Sequence, residues 1–258
     1  MRVLSASMMV GLLGGDELFA AGAGMPALVN FYQLIVVETL GIGKEWLPTA
    51  SAVLVLVLST LLGFVYHRHV QRALRSETHA PSGLYASCVE FLLDFLDDLT
   101  TDNCGKYSRL FFPLLAGFFF FILICNLTGL FPGLPPATES ISTTLALGLI
   151  AFLAYNYAGL REHGLGYGKQ FIGPLLFIAP LFLIIEIFSH LSRPLSLSLR
   201  LMVNIFADHL LLNVFTGLTY LVLPAALMFF GLLVACLQSF VFTLLTSIYI
   251  SLSVSHDH

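Results

Sequence analysis

Residues 180–215 read PLFLIIEIFSHLSRPLSLSLRLMVNIFADHLLLNVF, an apolar run that is interrupted by charged and polar residues. A helix needs about 20 predominantly apolar residues to cross the hydrocarbon core of a bilayer, and this stretch is longer than that. An ionised side chain at the centre of such a helix costs about 3 kcal/mol on insertion scales. The polar interruptions therefore indicate a function inside the membrane, and they are Glu186, His190, Arg193, Arg200, Asn204, Asp208 and His209.

Most of these polar residues share one face of the predicted helix. At about 100° per residue, six of them fall within an arc of roughly 80°. Pro194 is a candidate kink in this helix, and His209 falls outside the stripe, where it would face a neighbouring helix. The polar stripe consists of Glu186, His190, Arg193, Arg200, Asn204 and Asp208.

The next apolar segment carries a second polar stripe, which the spacing predicts to pair with the first. It begins at Gln238 and continues with Ser239, Thr243, Thr246 and Ser247. Structural roles remain open for several members of the two stripes. Glu186 and His190 suit a buried structural pair, Arg193 suits an anchor at the membrane interface, and Asn204 and Gln238 suit hydrogen bonds between helices.

The composition of the whole chain predicts an all-α membrane protein. Of the 258 residues, 58% are hydrophobic and 10% are charged, and the mean hydropathy is +0.93. Soluble domains carry about 25% charged residues, so this chain lacks the polar surface of a soluble protein. The last two apolar segments exceed one upright crossing and must be broken, steeply tilted or partly in the membrane plane. The predicted segments are 46–66, 110–131, 141–160, 171–215 and 218–254.

Two further segments complete the predicted organisation. Residues 1–45 form an N-terminal extension, read either as a signal peptide or as a short interfacial helix, and residues 46–258 form the membrane domain. Residues 88–99 have acidic residues on one side and apolar residues on the other at helical spacing. This pattern predicts an amphipathic helix at the membrane interface, with a helix packed on another subunit as the alternative.

Basic residues orient the predicted spans. They concentrate in residues 67–75, 106–109 and 161–169, whereas residues 132–140 contain neither Lys nor Arg. The positive-inside rule places the three basic segments on the negative side of the membrane. The first span then runs inward, the second outward and the third inward.

The chemistry of the first stripe favours proton transfer. Glu and His have reference pKa values of about 4.3 and 6.5, so buried groups of these two types can exchange protons. Arg200 stays charged under all ordinary conditions, so it blocks the passage of protons and attracts a carboxylate. Titratable groups along one helix with a permanent cation among them predict two half-channels separated by a barrier.

Four ordered motifs resemble subunit a of the F-type ATP synthases. Residues 194–204 read PLSLSLRLMVN and precede Ala207-Asp208-His209, similar to the family pattern P-x-S-L-x-x-R-L-x-x-N followed by A-G-H or A-G-E. Residues 183–186 (LIIE) and 126–132 (NLTGLFP) resemble two upstream motifs, and residues 238–249 (QSFVFTLLTSIY) resemble the last-helix motif. The matches cover about residues 45–252.

The resemblance implies an architecture and a mechanism. It implies one N-terminal transmembrane helix, an interfacial amphipathic helix, a transmembrane helix pair and a long tilted C-terminal hairpin against a rotating ring of c subunits. Arg200 would face the ring carboxylate and prevent a direct proton leak. Glu186 and His209 would line the route on the positive side, with Asn204 and Gln238 near Arg200.

The same resemblance implies a set of partners and no cofactor. The partners are the c-ring, the peripheral stalk, the other membrane subunits of the synthase and the lipid bilayer, with no nucleic acid. The chain itself would be a non-catalytic, proton-translocating subunit, because it lacks motifs for nucleotide chemistry. A secondary proton-coupled transporter and a structural membrane subunit are the alternatives. The expected location is the mitochondrial inner membrane, with a bacterial plasma membrane as the alternative.

Three residues depart from the family pattern. Asp208 stands where glycine is usual, His190 where an apolar residue is common, and Gly231 where many mitochondrial members have an acidic group. The proton relay is therefore expected to run through Asp208 and His190. A second hypothesis is that Glu186, His190, Asp208 and His209 lie close enough to bind a divalent metal such as zinc.

Overall fold

The computed structural model describes residues 47–75, 84–130, 136–164, 179–218 and 222–254, and all regular secondary structure in these ranges is helical. The all-α prediction is confirmed for these ranges. The predicted N-terminal extension, residues 1–45, and residues 171–178 of the fourth apolar segment lie outside the described residues. The helices are α1 (Leu47–Arg75), α2 (Leu84–Cys104), α3 (Ser108–Gly129), α4 (Ile141–His163), α5 (Ala179–Leu218) and α6 (Val222–Val254), with 3₁₀ turns at Gly105–Tyr107 and Ala137–Glu139.

Five helical stretches in the described ranges are long and apolar enough to cross a membrane. The apolar side chains of a membrane helix can face lipid. Exposed leucine, valine and phenylalanine side chains along these helices are therefore expected. The stretches are Thr49–Arg68, Ser87–Gly129, Ile141–His163, Ile184–Leu212 and Leu223–Val254. The second stretch joins α2 to α3 through a 3₁₀ turn, whereas the sequence predicted two separate segments there.

Helix α5 is continuous over 40 residues, so Pro194 does not break it. A proline inside a helix cannot donate a hydrogen bond to the carbonyl four residues earlier, which here is the carbonyl of His190. The hydroxyl of Tyr155, on α4, donates to this carbonyl oxygen at 3.2 Å. Tyr155 is only 1% exposed, so a buried side chain of a neighbouring helix supplies the missing donor.

Helices α4 and α5 are in close contact because a glycine faces the proline turn. A Cβ atom on Gly148 would lie 2.1 Å from Oγ of Ser198 and 2.9 Å from the carbonyl oxygen of Pro194. Oγ of Ser198 already donates to that same carbonyl at 2.8 Å. Small residues commonly allow such close approach between membrane helices.

The core joins α3, α4, α5 and α6, and it lies beside the stretch of α5 that carries Arg200. Burial of these side chains packs one face of α5 against the bundle and leaves the opposite face outside. Leu199 and Val203, on that opposite face, are exposed. The core cluster consists of Phe118, Ile122, Leu147, Ala151, Leu197, Leu201, Ile205 and Phe242.

The hydroxyl groups of α6 do not pair with the polar stripe of α5 in the predicted way. Thr243 and Thr246 are fully buried, and each donates at 2.8 Å to the carbonyl oxygen four residues earlier in α6. Ser239 donates to the carbonyl of Cys236 at 2.8 Å, and Ser247 contacts Sγ of Cys104 on α2. Since these hydroxyls are satisfied within α6 or by α2, the predicted pairing of two polar stripes is wrong for them.

Candidate functional site

The polar residues of α5 form two groups, one on each side of Arg200. Because α5 is continuous, a rise of 1.5 Å per residue places His190 about 15 Å before Arg200 and Asp208 about 12 Å beyond it. The group that contains His190 packs against α4. The group that contains Asp208 and His209 packs against the end of α3, the second 3₁₀ turn and α6.

His190 is held by an amide and two aromatic rings of α4. Its Nε2 lies 3.0 Å from Oδ1 of Asn156, whose own Nδ2 donates to the carbonyl of Phe152 at 2.8 Å. The amide oxygen therefore faces the imidazole and accepts a hydrogen bond from Nε2–H. The imidazole makes edge contacts with the rings of Phe152 and Tyr155, with centroids 5.2 Å apart in each case.

Arg193 and Glu186 flank this first group. The guanidinium of Arg193 lies 5.7 Å from the ring centroid of Tyr249 on α6, within the range of a cation–π contact. Glu186 is half-buried one turn before His190. Arg193 thus contacts α6, and its role as an anchor at the membrane interface stays a prediction.

His209 joins three parts of the chain. Its Nε2 lies 2.9 Å from the carbonyl oxygen of Gly129 at the end of α3, and its Nδ1 lies 3.2 Å from Oε2 of Glu139 in the second 3₁₀ turn. Glu139 was missed by sequence reasoning. The available signal was that Glu139 is the single charged residue in the loop 132–140, which follows one of the motifs.

A small cavity lies beside His209 and Asp208. Its volume is about 30 Å³, and its lining includes Asn126, Asp208, His209 and Gly231. Oδ2 of Asp208 and Nδ2 of Asn126 are buried, and neither has a hydrogen-bond partner within the described part of the chain. A buried acceptor and a buried donor without partners are costly, so the wall of this cavity is suited to a small polar guest.

Arg200 lies on the outer surface of the bundle. Its side chain is exposed, and among the described residues no carboxylate lies within ion-pair distance of its guanidinium. Asn204, one turn further, and Gln238, on α6, are half-buried. Neither forms a hydrogen bond with another described side chain.

Two expectations about the site need correction. Glu186 and His209 were expected on one route, but on the continuous helix they are separated by about 35 Å and lie on opposite sides of Arg200. The same separation prevents Glu186, His190, Asp208 and His209 from surrounding one ion. Among the described residues no group of three or more His, Cys, Asp or Glu side chains could hold a metal.

The comparison with protein families decides the identity of this arrangement. Residues 49–251 match the family model of the ATP synthase A chain. The chain belongs to the ATP synthase A chain family. The resemblance to subunit a of the F-type ATP synthases is therefore confirmed, and membership of the family supports the expected role in proton translocation.

Bacterial members of the ATP synthase A chain family are similar over most of their length. The chain is 36% identical over 230 residues to ATP synthase subunit a of Bdellovibrio bacteriovorus, covering 89% of this chain and 99% of that protein. It is 40% identical over 205 residues to ATP synthase subunit a 3 of Pelobacter propionicus, covering 80% and 86%. It is 44% identical over 184 residues to ATP synthase subunit a 1 of Syntrophotalea carbinolica, covering 71% and 78%. These relatives are bacterial, so the expected mitochondrial location has no support from them.

Proposed function

We propose that this chain conducts protons through two half-channels at its interface with the rotating c-ring of an F-type ATP synthase, coupling proton flow to ATP synthesis. In this role it is a non-catalytic subunit, and the soluble part of the complex performs the nucleotide chemistry. Protons would reach the ring from one side of the membrane and leave to the other. Arg200 separates the two half-channels.

The observation that carries this proposal is the exposed guanidinium of Arg200. A permanent cation within an apolar helix is expensive unless a counter-charge or water stabilises it. The described residues of this chain supply no ion-pair partner, and the neighbouring Leu199 and Val203 are exposed apolar residues of the same surface. A carboxylate on a partner within the membrane, the ring carboxylate of the c subunits, fits both the charge and its position.

The two groups on α5 correspond to the two half-channels. The basic segment 106–109 adjoins the start of α3, and residues 161–163 end α4, so the positive-inside rule places these ends on the negative side. His190 contacts the second half of α4, so Glu186 and His190 belong to the negative-side route. Asp208 and His209 contact the opposite end of α3 and belong to the positive-side route.

The cavity beside Asp208 fits one water molecule in the positive-side route. A cavity needs about 10–15 Å³ of accessible volume to hold a water, and this one has about 30 Å³. Nδ2 of Asn126 would donate to the water, which would donate to Oδ2 of Asp208. An amide donor in the wall disfavours a metal cation, because cations require oxygen or nitrogen lone pairs.

The membrane arrangement follows from helix length and exposure. Helix α5 is about 60 Å long, twice the ~30 Å hydrocarbon core, so we place α5 and α6 as a steeply tilted hairpin within a membrane domain of residues 46–258. Asn204 and Gln238 would lie near Arg200 on that hairpin. On α2, Glu90 and Asp94 are exposed whereas Leu96 is fully buried, which suits an interfacial helix. The bacterial relatives favour a bacterial plasma membrane, with the peripheral stalk and other membrane subunits as further partners.

The decisive test replaces the barrier residue. ATP-driven proton pumping and passive proton leak are measured in membranes that carry the assembled complex with Arg200→Ala. Pumping should be abolished while assembly is retained, and the passive leak should rise. Leu153→Ala, at an exposed apolar residue of α4, is the matched control and should pump normally. Normal coupled pumping by Arg200→Ala would overturn the proposed role of Arg200 and the mechanism built on it.

A further inference from the structure

Glu139 is placed against His209 by the packing of the second 3₁₀ turn. Oγ1 of Thr138 donates to Oδ1 of Asn126 at 2.8 Å, and both Thr138 and Ala137 are fully buried. This hydrogen bond attaches the turn to the last part of α3. Glu139, the last residue of the turn, is consequently held at a fixed position next to α5.

The absence of a side chain at Gly129 permits this approach. A Cβ atom there would lie 2.8 Å from Cγ of Pro136 and 3.1 Å from Nε2 of His209. The 2.8 Å contact with Pro136 is shorter than real Cβ contacts and the 3.1 Å contact with His209 is unusually tight, so a larger residue would displace the turn and press on the imidazole. Gly129 thus allows Glu139 and His209 to meet.

The hydrogen bonds determine how many protons the pair holds. The carbonyl oxygen of Gly129 can only accept, so Nε2 of His209 carries a hydrogen. Contact between Nδ1 and Oε2 of Glu139 then requires one further proton, either as N–H donating to a carboxylate or as O–H donating to the imidazole nitrogen. The pair binds one exchangeable proton in either form, and moving it breaks one bond to hydrogen and forms the other.

The pair also joins the surface of the bundle to the cavity. The side chain of Glu139 is 24% exposed and that of His209 is 22% exposed, so the carboxylate lies at the surface of the bundle. His209 is next to Asp208 in the sequence and lines the same cavity. A proton bound between Glu139 and His209 is therefore held close to the Asp208 carboxylate.

We propose that Glu139 is a further residue of the proton path and that Glu139 and His209 form a proton-binding pair at the outer end of the positive-side half-channel. This inference rests on the proposed function, because it assigns a step to the same route. The pair takes a proton from the aqueous phase and holds it beside the cavity, ahead of Asp208. Among the described residues that line this cavity, Asp208 and His209 are the titratable groups, and Arg200 is the next charge along α5.

The test compares Glu139→Gln with Glu139→Asp in the complete synthase. Passive proton conductance through the membrane sector is measured after the soluble head is stripped, over a range of pH on the positive side. Glutamine keeps the hydrogen-bonding shape but cannot release a proton, so conductance should fall about tenfold, within the range for loss of a general acid or base. The remaining conductance should have its midpoint shifted by about one unit to lower pH, because the proton is held without the carboxylate charge. Glu139→Asp should restore most of the conductance.

Glu162→Gln is the matched control. Glu162 accepts hydrogen bonds from Lys106 and Tyr107 and joins the end of α4 to the turn before α3, far from the cavity. It should conduct as the unmodified complex does, with the same pH profile. A purely structural role for Glu139 would reduce the amount of assembled complex without moving the pH midpoint per complex.

Each result separates this inference from the proposed function. Unchanged conductance and an unchanged pH profile in Glu139→Gln would overturn the role of Glu139. If Arg200→Ala still abolished pumping, the proposed function would stand. If Arg200→Ala pumped normally, the proposed function would fail whatever the Glu139 variants did.

Discussion

Two histidines on one helix, His190 and His209, have different surroundings. His190 donates to an amide oxygen and packs against two aromatic rings, in the part of α5 that lies close against α4. His209 meets a backbone carbonyl and a carboxylate, next to a cavity with a second carboxylate. The residue type is the same in both places, but only His209 has an acid within hydrogen-bond distance among the described residues.

The comparison shows that packing decides what a titratable residue can do. The imidazole of His190 is held against α4 by one hydrogen bond and two ring contacts. A glycine at the end of α3 and another in α6 leave space around His209 and Asp208. Proton exchange requires both a partner of suitable acidity and room for water, so the two regions should respond differently to substitution.

Among the changes that compare these two regions, the largest effect is expected from Asp208→Asn, which would remove the titratable group beside the cavity. Asparagine keeps the size of the side chain but cannot carry a proton, so ATP-driven proton pumping should fall about a hundredfold. Pumping is measured in membrane vesicles normalised to the assembled complex. Asp102→Asn, at an exposed aspartate of α2, is the control and should pump normally. Pumping at the normal rate in Asp208→Asn would place the positive-side route elsewhere.

The close contact between α4 and α5 is tested by Gly148→Ala. The new Cβ overlaps Oγ of Ser198, and overpacking of this kind costs about 1–3 kcal/mol, so thermal stability of the solubilised complex should drop. Ser198→Ala in the same chain removes the nearest atom and should recover part of the loss. Gly117→Ala, where a Cβ meets nothing within 4 Å, should be neutral. A stable Gly148→Ala complex would mean that the two helices separate easily.

A smaller effect is expected from His190→Phe, which keeps the ring contacts but loses the hydrogen bond to Asn156. The change also removes a titratable group of the negative-side route, but Glu186 remains on that route, so pumping should fall fivefold or less. Asn156→Leu should give a similar decrease, and the double substitution should add little. A fall as large as that of Asp208→Asn would show that His190 carries every proton on its side, and it would remove the contrast between the regions.

The smallest effect is expected from Thr246→Val on α6. The hydroxyl of Thr246 donates to the carbonyl of Phe242 in its own helix, and valine has nearly the same shape. Pumping should stay within about twofold and stability within about 1 kcal/mol of the unmodified complex. A large loss of pumping would support the sequence-based prediction that the polar residues of α6 act together with those of α5.

Much of the helical architecture could be predicted because hydrophobic length is a local property. The predicted segment 141–160 corresponds to Ile141–His163, and 110–131 corresponds to Ser108–Gly129. The first segment was predicted to end at residue 66, but the helix continues to Arg75, since basic residues outside an apolar core can remain helical. Hydropathy detects only the apolar part of a helix that fits the membrane. It does not detect a polar continuation of the same helix.

The predicted role of α6 failed for a different reason. Serine and threonine at helical spacing produce a polar stripe in the sequence, but a hydroxyl can bond to the carbonyl one turn earlier. Sequence spacing cannot distinguish such a satisfied hydroxyl from one that faces a neighbour. Pro194 was ambiguous in the same way, because the helix remains continuous with the hydroxyl of Tyr155 at the carbonyl that proline leaves unpaired.

The sequence by itself determined the all-helical architecture, the family, and the placement of Glu186, His190, Arg200 and Asp208 along one helix. These follow from composition, motif and helical period, all of which are properties of neighbouring residues. Only the tertiary structure decided that Glu139 meets His209, that Asn126 and Asp208 share a cavity, and that Arg200 is exposed. Those facts depend on contacts between helices that are distant in sequence. The absence of a Cβ atom at Gly129 lets Pro136 and His209 approach, and its absence at Gly148 lets α4 approach α5.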